Sequence, residues 1–256
     1  MNPVILGVVL LATALASSNA DISTHDLDPR IVNGEDAGPN EFLYQASLQI
    51  NGHHFCGGSV LNRYYVLTAA HCVSDQEPSE VEVITGTKNL SGSPTFVHQA
   101  VKFIVHAKYN PSNNWINDIA LIKVNKPFET GPQLNFVPLP QANQNIPDNA
   151  RAIVSGWGRI GRYGPGSTTL KKATIYITAQ DTCKDIYKTI YDTQICANDP
   201  STVKGACNGD SGGPLTVSGR IVGIVSWSLG CGLSNYPTVY TRVSSYIDWI
   251  QANAVY

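Results

Sequence analysis

The chain has 256 residues, with 17 Lys and Arg against 19 Asp and Glu, and a formal net charge of −2. A nearly neutral chain has no broad electrostatic attraction for nucleic acid or for an anionic membrane, so we expect neither as a partner. The length is sufficient for one large or two small domains with substantial hydrophobic cores.

Residues 1–20 are predicted to be a secretory signal peptide. An apolar run from Val4 to Ala16 is too short to span a bilayer, and Ser18 and Ala20 suit a small-residue cleavage site. Behind such a signal, the six irregularly spaced cysteines favour three disulfides over a zinc site. We therefore expect a secreted, extracellular, disulfide-bonded protein, although the spacing alone leaves the pairing open.

Most of the remaining chain alternates short runs of β-branched and aromatic residues with Gly, Pro and Asn clusters, which is typical of an all-β barrel or sandwich. The predicted strands lie in residues 42–50, 64–70, 81–87, 96–106, 118–124, 151–157, 173–179, 220–228 and 238–243. Residues 126–149 contain five prolines and no strand pattern, so we interpret them as the connection between two β domains of similar size. Only the C-terminal tail is predicted to be helical, with Ser244 as its N-cap.

The stretch "KGACNGDSGGPL", residues 204–215, places Asp210 beside Ser211 among small residues. A serine hydroxyl is a weak nucleophile unless a base lies within hydrogen-bond reach. The letters "GDSGG" also match the nucleophile elbow of α/β-hydrolases, in which an acid and then a histidine follow the serine. All the histidines of this chain precede Ser211, so a lipase or esterase of that class is excluded by chain order.

The candidate base is His71, which ends the apolar run "YYVLTAAHC" and directly precedes Cys72. No Asp or Glu occurs from residue 83 to 117, and Asp118 then leads the apolar run "DIALIKV". A carboxylate buried there needs a hydrogen-bond donor, and the ring N–H of a histidine would be such a donor. We therefore interpret Asp118 as the acid that fixes the tautomer of His71. The other histidines after residue 30 are interpreted as solvated or structurally satisfied imidazoles: His53, His54, His98 and His106.

Five ordered motifs, "IVNGEDA", "TAAHC", "DIAL", "GDSGGPL" and "SWS", resemble the chymotrypsin/trypsin family of serine endopeptidases from Ile31 to the last helix. The resemblance implies an all-β fold of two packed six-stranded antiparallel β-barrels with the catalytic cleft between them. We expect the N-terminal barrel in residues 31–140, and the C-terminal barrel with its helix in residues 141–256.

The resemblance also implies the chemistry, which is acyl transfer by the triad of His71, Asp118 and Ser211. The backbone N–H groups of Gly209 and Ser211 are expected to form the oxyanion hole. Residues 21–30 are expected to be an activation propeptide, removed by a trypsin-like protease after Arg30. The new amino group of Ile31 would then pair with Asp210, since neither buried charge is tolerable alone.

By resemblance, six residues form the primary specificity pocket: Gly205, Ala206, Ser226, Trp227, Ser228 and Thr238. The two segments that carry them contain no Asp or Glu, and Gly205 stands at the floor, where trypsins carry aspartate. A basic substrate side chain would therefore be desolvated without a partner. Ser228 and Thr238 are larger than the usual glycines, so we expect a chymotrypsin-like or elastase-like preference for neutral, mostly large apolar residues. Lys204, near the floor, leaves an acidic preference as an alternative.

The disulfides implied by the resemblance are Cys56–Cys72, Cys183–Cys196 and Cys207–Cys231. Asn89 in "NLS" is a candidate N-glycosylation site, whereas Asn110 is excluded by Pro111. Thr87 stands where the family's calcium-binding loop has its first acid, so no metal and no cofactor are expected.

The expected partners of a monomeric enzyme are protein or peptide substrates, the activating protease and protein protease inhibitors. The competing interpretation is a catalytically silent secreted homologue that acts as a binding or regulatory module. Such homologues usually lack a member of the triad, and none is missing here.

Overall fold

The computed structural model describes residues 31–93, 95–161 and 163–255. The predicted signal peptide, the propeptide and Arg30 lie outside the described residues. No helix in the described ranges is long and apolar enough to cross a membrane.

The first barrel is closed by six antiparallel strands, and a two-residue strand, β1 (Glu35–Asp36), precedes them. Its strands are β2 (Gln45–Ile50), β3 (His53–Val60), β4 (Tyr65–Thr68), β5 (Glu82–Thr85), β6 (Phe96–Val105) and β7 (Ala120–Val124). Around the barrel they follow the order β2-β3-β4-β7-β6-β5. Leu48, Val66 and Ile122 are fully buried on the same face of these strands, because alternate residues of each strand point inward.

The second barrel is also a closed ring of six antiparallel strands. They are β8 (Arg151–Gly156), β9 (Lys171–Thr178), β10 (Gln194–Asn198), β11 (Pro214–Val217), β12 (Arg220–Trp227) and β13 (Thr238–Arg242). The ring order β8-β9-β10-β13-β12-β11 closes between β11 and β8, and β1 adds a short seventh strand to β9. The expected fold of two packed six-stranded barrels is confirmed.

The prediction that only the tail is helical is wrong. The chain forms a first helix, α1 (Gln180–Tyr187), before α2 (Ile247–Asn253). Helix α1 has eight residues, of which only Cys183 is buried. Its sequence therefore lacks the periodic apolar residues by which a helix is predicted. Ser244 does not cap α2, because it lies within a preceding 3-10 turn and its buried Oγ has no hydrogen-bond partner.

The sequence prediction lacks the short strand β1 and three strands of the barrels, β3, β10 and β11. In β3, "HHFCGGSV" carries two glycines and no regular alternation of apolar residues, and His53 and His54, which suggest a hairpin turn, are its first residues. The turn is instead Asn51–Gly52, since both residues have the positive φ that this tight connection requires.

The two ends of the chain cross between the barrels. Residues 126–149, the predicted connection, lie between β7 and β8, and Phe128, Leu134 and Val137 pack in the hydrophobic cluster that includes the core of the first barrel. Helix α2 follows the second barrel in sequence, yet Ile250 packs in that same first core. At the other end, β1 lies on the second barrel. These crossings join the two barrels.

Candidate active site

His71 and Asp118 are brought together by the register of two neighbouring strands. Strand β4 pairs with β7 so that its last residue, Thr68, lies opposite Ala120, the first residue of β7. His71 follows β4 and Asp118 precedes β7, so both lie at the same end of this strand pair. Asp118 is fully buried, and its Oδ2 lies 2.7 Å from His71 Nδ1. The backbone N–H of His71 donates to Asp118 Oδ1 at 2.9 Å. Because a carboxylate only accepts, Nδ1 carries the proton and Nε2 is left as the base.

The second barrel supplies two further donors to this acid. Ser226 Oγ donates to Asp118 Oδ2 at 2.6 Å, and Thr241 Oγ1 donates to the Asp118 carbonyl oxygen at 2.7 Å. The Ser226 bond offsets the desolvation of the buried carboxylate, whereas the Thr241 bond satisfies the backbone carbonyl of the same residue. Ser226 was predicted only as a pocket residue, and its contact with the acid has no signature in the sequence because the two residues are 108 positions apart.

Ser211 lies on a loop that packs against the strand leading to His71. Its carbonyl oxygen accepts from Gly57 N at 2.7 Å, and Gly57 follows Cys56, which is bonded to Cys72. A Cβ on Gly212 would clash with Thr68 Oγ1 and with the Gly57 carbonyl oxygen, so this approach requires glycine. Within the described ranges, no hydrogen bond joins Ser211 Oγ to His71 Nε2; in active sites without substrate this bond is often long and closes on binding.

Among the described residues, the amides of Gly209 and Ser211 differ from their neighbours in the loop before β11, because they have no acceptor. The amides of Asp210, Gly212 and Gly213 donate to the carbonyl oxygens of Cys207, Val225 and Asp210, respectively. Those of Gly209 and Ser211 donate to no acceptor among the described residues. Gly209 has φ +95°, a conformation that side chains disfavour. Two unpaired N–H groups beside the serine are the donors that an oxyanion hole requires.

His54 is part of this arrangement, which sequence reasoning missed. Its Nε2 donates to the Gly209 carbonyl oxygen at 2.9 Å, and its Nδ1 accepts from Ser47 Oγ at 2.8 Å. The ring also makes an edge-on contact with Trp157 at 5.8 Å between centroids. Burial lowers the pKa of His54, which favours the neutral donor form. The position of His54 near the start of β3 carries no sequence pattern that predicts its contact with Gly209 in the other barrel.

Asp210 packs closely against Gly156 and Gly158, where a Cβ at either position would clash with its carboxylate. It is fully buried, and its two carboxylate oxygens accept from Gly158 N at 2.8 Å and from Cys207 N at 2.9 Å. Burial outweighs these bonds and raises the pKa of Asp210 to about 7. Ile31 is also fully buried, and Val32 exchanges two backbone hydrogen bonds with Gly205 at 3.1 and 3.2 Å.

The predicted pocket residues lie around the end of β12 and the floor at Gly205. Gly205, Ala206, Ser226 and Thr238 are buried, Trp227 is half-buried and Ser228 is exposed. The disulfide Cys207–Cys231 joins the two segments that carry them, and the other two disulfides are Cys56–Cys72 and Cys183–Cys196. Lys204 Nζ lies 3.8 Å from Asp199 Oδ2.

An aromatic wall beside Trp227 was not anticipated. Trp115 stacks on Trp227 with 6.0 Å between centroids, and Tyr187 makes an edge contact at 4.9 Å. Trp115 has φ 49°, which is costly for a bulky residue. The preceding residue, Asn114, is held across the barrels, because its Nδ2 donates to Thr189 O and its carbonyl oxygen accepts from Gln194 Nε2.

In the part of the chain that the structure describes, one group of side chains has metal-ligand spacing: Cys56, His71 and Cys72. The two cysteines are bonded to each other, so they offer no thiolates to a zinc ion.

Comparison with known proteins agrees with this geometry. The family described as Trypsin matches residues 31–250. Trypsin from Phaedon cochleariae is 34% identical over 252 residues, which cover 96% of each chain. Chymotrypsin-2 from Vespa crabro is 42% identical over 223 residues, which cover 87% of this chain and 99% of that protein. The chain therefore belongs to the trypsin family of serine endopeptidases.

Proposed function

We propose that the protein is a secreted serine endopeptidase, made as a zymogen, that cleaves peptide bonds after neutral, mostly large apolar residues. The observation that carries the proposal is the buried Asp118 carboxylate. It accepts from the His71 ring, the His71 backbone and Ser226 Oγ, and so fixes the imidazole with Nε2 as the base.

The catalytic cycle follows from these contacts. Ser211 Oγ attacks the substrate carbonyl carbon while His71 Nε2 takes the hydroxyl proton, and the charge on the carbonyl oxygen is stabilised by the N–H groups of Gly209 and Ser211. His71 then gives the proton to the leaving amine. Water, activated by the same imidazole, attacks the acyl-enzyme and releases the acid. Asp118 stays ionised and stabilises the imidazolium.

Replacement of the nucleophile tests this mechanism. In Ser211→Ala, after cleavage at Arg30, turnover of a neutral peptide ester should fall by around 10⁶-fold, as loss of the serine does in a comparable triad. A fluorophosphonate should label the parent at Ser211 and leave the variant unlabelled. Turnover equal to that of the parent would refute the assignment. An unlabelled, inactive but correctly cleaved parent would instead favour a silent homologue.

The neutral preference is supported by the charge and size of the pocket residues. Gly205 provides no carboxylate for a basic side chain, and Lys204 lies near Asp199, which lessens its attraction for an acidic one. The buried Thr238 narrows the space that a glycine would leave. In a peptide library, kcat/KM should be highest for neutral apolar residues, and Thr238→Gly should shift the preference toward the largest aromatics. Highest rates after Arg, Lys, Asp or Glu would contradict the proposal.

The zymogen proposal is supported by the buried Asp210 and by the burial of Ile31. In an uncut chain, Ile31 has no amino group to pair with this acid. Since Gly205 lacks the acid that a basic side chain needs, the enzyme should not cleave after its own Arg30. A trypsin-like protease is therefore the expected activator, and Arg30→Gln should resist activation by trypsin.

A further inference from the structure

The loop between β5 and β6 carries an exposed asparagine with a free amide nitrogen. Asn89 Oδ1 accepts from Ser91 N at 2.9 Å and from Ser91 Oγ at 2.7 Å. In the part of the chain that the structure describes, Asn89 Nδ2 donates to no acceptor, and the residue is exposed. The side-chain oxygen is thus held by the hydroxyl residue of the sequon, while the nitrogen stays accessible.

The backbone around Asn89 is anchored to the second barrel. Leu90 N donates to Thr168 O at 2.7 Å, and Leu170 N donates to Lys88 O at 2.6 Å. Thr87 Oγ1 also donates to the Asn89 carbonyl oxygen at 2.9 Å. With its backbone paired on both sides, the loop keeps the Asn89 side chain on the surface, where a bulky substituent displaces no packing.

We propose that Asn89 is modified with an N-linked glycan, a proposal that rests on the proposed secretion of the chain. The co-reactant is a lipid-linked oligosaccharide diphosphate. A bond forms between Asn89 Nδ2 and the anomeric carbon of the first sugar, the bond from that carbon to the diphosphate oxygen breaks, and the amide loses one proton. The lipid diphosphate leaves, and no oxidant or reductant takes part.

A second asparagine provides a matched control. Asn110 is also exposed, and its Oδ1 accepts from Ser112 N at 3.0 Å, so it forms a similar turn. Pro111 stands between these two residues, and a proline at that position blocks the transfer. The pair separates the turn geometry, which both sites have, from the sequon, which only Asn89 has.

The full chain can be tested by expression in insect cells, with medium and lysate analysed before and after peptide N-glycosidase treatment. The parent and Ser91→Thr should migrate more slowly until treated, and Asn89→Gln and Ser91→Ala should lose that shift. Mass analysis of the treated parent should find aspartate at position 89. The double variant Asn89→Gln with Pro111→Ala should regain a glycan, at Asn110, which reports that the transferase reached the chain.

A secreted parent without a glycan would overturn the proposal. An unglycosylated parent confined to the lysate would overturn it together with the proposed secretion. Ester hydrolysis, measured on the same samples after trypsin cleavage, tests the proposed protease activity separately from glycosylation. Asn89→Gln should hydrolyse the ester at the rate of the parent, so a loss of the glycan and a loss of activity can be told apart.

Discussion

The first barrel holds His71 and Asp118 next to the paired strands β4 and β7, whereas the second carries Ser211 on a loop between β10 and β11. The base and the acid are positioned by sheet register and by the disulfide at Cys72. The nucleophile loop is instead held by Asp210, a buried acid that has donors but no charged partner among the described residues. The sheet therefore fixes the base and the acid, whereas under the proposed zymogen activation the nucleophile loop would depend on a charge that cleavage supplies.

The largest expected effect tests the half that the sheet fixes. Asp118→Asn keeps the shape of the side chain but turns an acceptor into a donor, which reverses the His71 tautomer and removes the base from Nε2. We expect kcat for a peptide ester to fall by about 10⁴-fold, as the same change does in a comparable triad. Thermal unfolding should be measured in parallel to verify that the variant is folded. A kcat near that of the parent would mean that the strand register alone positions His71 for catalysis, without the carboxylate of Asp118.

The next effect tests the half that depends on charge. With a pKa near 7 in the uncut chain, Asp210 binds a proton in the folded state that the unfolded state has already released, so stability falls as pH rises from about 4 to about 7. The shift corresponds to roughly 3 to 5 kcal/mol of unfolding free energy. In the cleaved protein, the Ile31 ammonium should remove most of this loss.

Denaturant unfolding of uncut Arg30→Gln at about pH 5 and about pH 8 measures this loss. Burial lowers the pKa of His54, His98 and His106, which gives the opposite slope, because their contribution to stability is lost as pH falls. The double variant Arg30→Gln with Asp210→Asn keeps the histidines and their effect on the pH dependence of the unfolding free energy. It should abolish only the loss of stability between about pH 4 and about pH 7 that Asp210 causes. An unchanged slope in the double variant would disprove the role of Asp210.

The smallest effect tests the contact that joins the two halves. Ser226→Ala removes one donor from the Asp118 carboxylate and leaves both His71 bonds, so we expect kcat to fall about 10- to 100-fold with KM little changed. The matched control is Thr241→Val, which removes a donor to the Asp118 backbone carbonyl only. Equal losses in the two variants would assign the effect to packing.

The sequence predicted the fold class and the residues of the candidate site more fully than it predicted their contacts. Alternating apolar runs marked most strands, and the chain order of histidine, aspartate and serine excluded the α/β-hydrolase class. Helix α1 was missed, since a short element with a single buried residue carries almost no periodic signal. His54 was assigned a bland role, because its acceptor, Gly209, lies in the other barrel.

The sequence by itself determined the all-β class, the order of the candidate triad and the absence of Asp and Glu from residues 204–209 and 226–240, because each depends on residue type, local pattern or chain order. Only the tertiary structure decided that Ser226 and Thr241 support Asp118, that Trp115 stacks on Trp227, and that the amides of Gly209 and Ser211 find no acceptor in the described part of the chain. These contacts join segments far apart along the chain, and no local pattern of residues records a distance that closes only when two barrels pack.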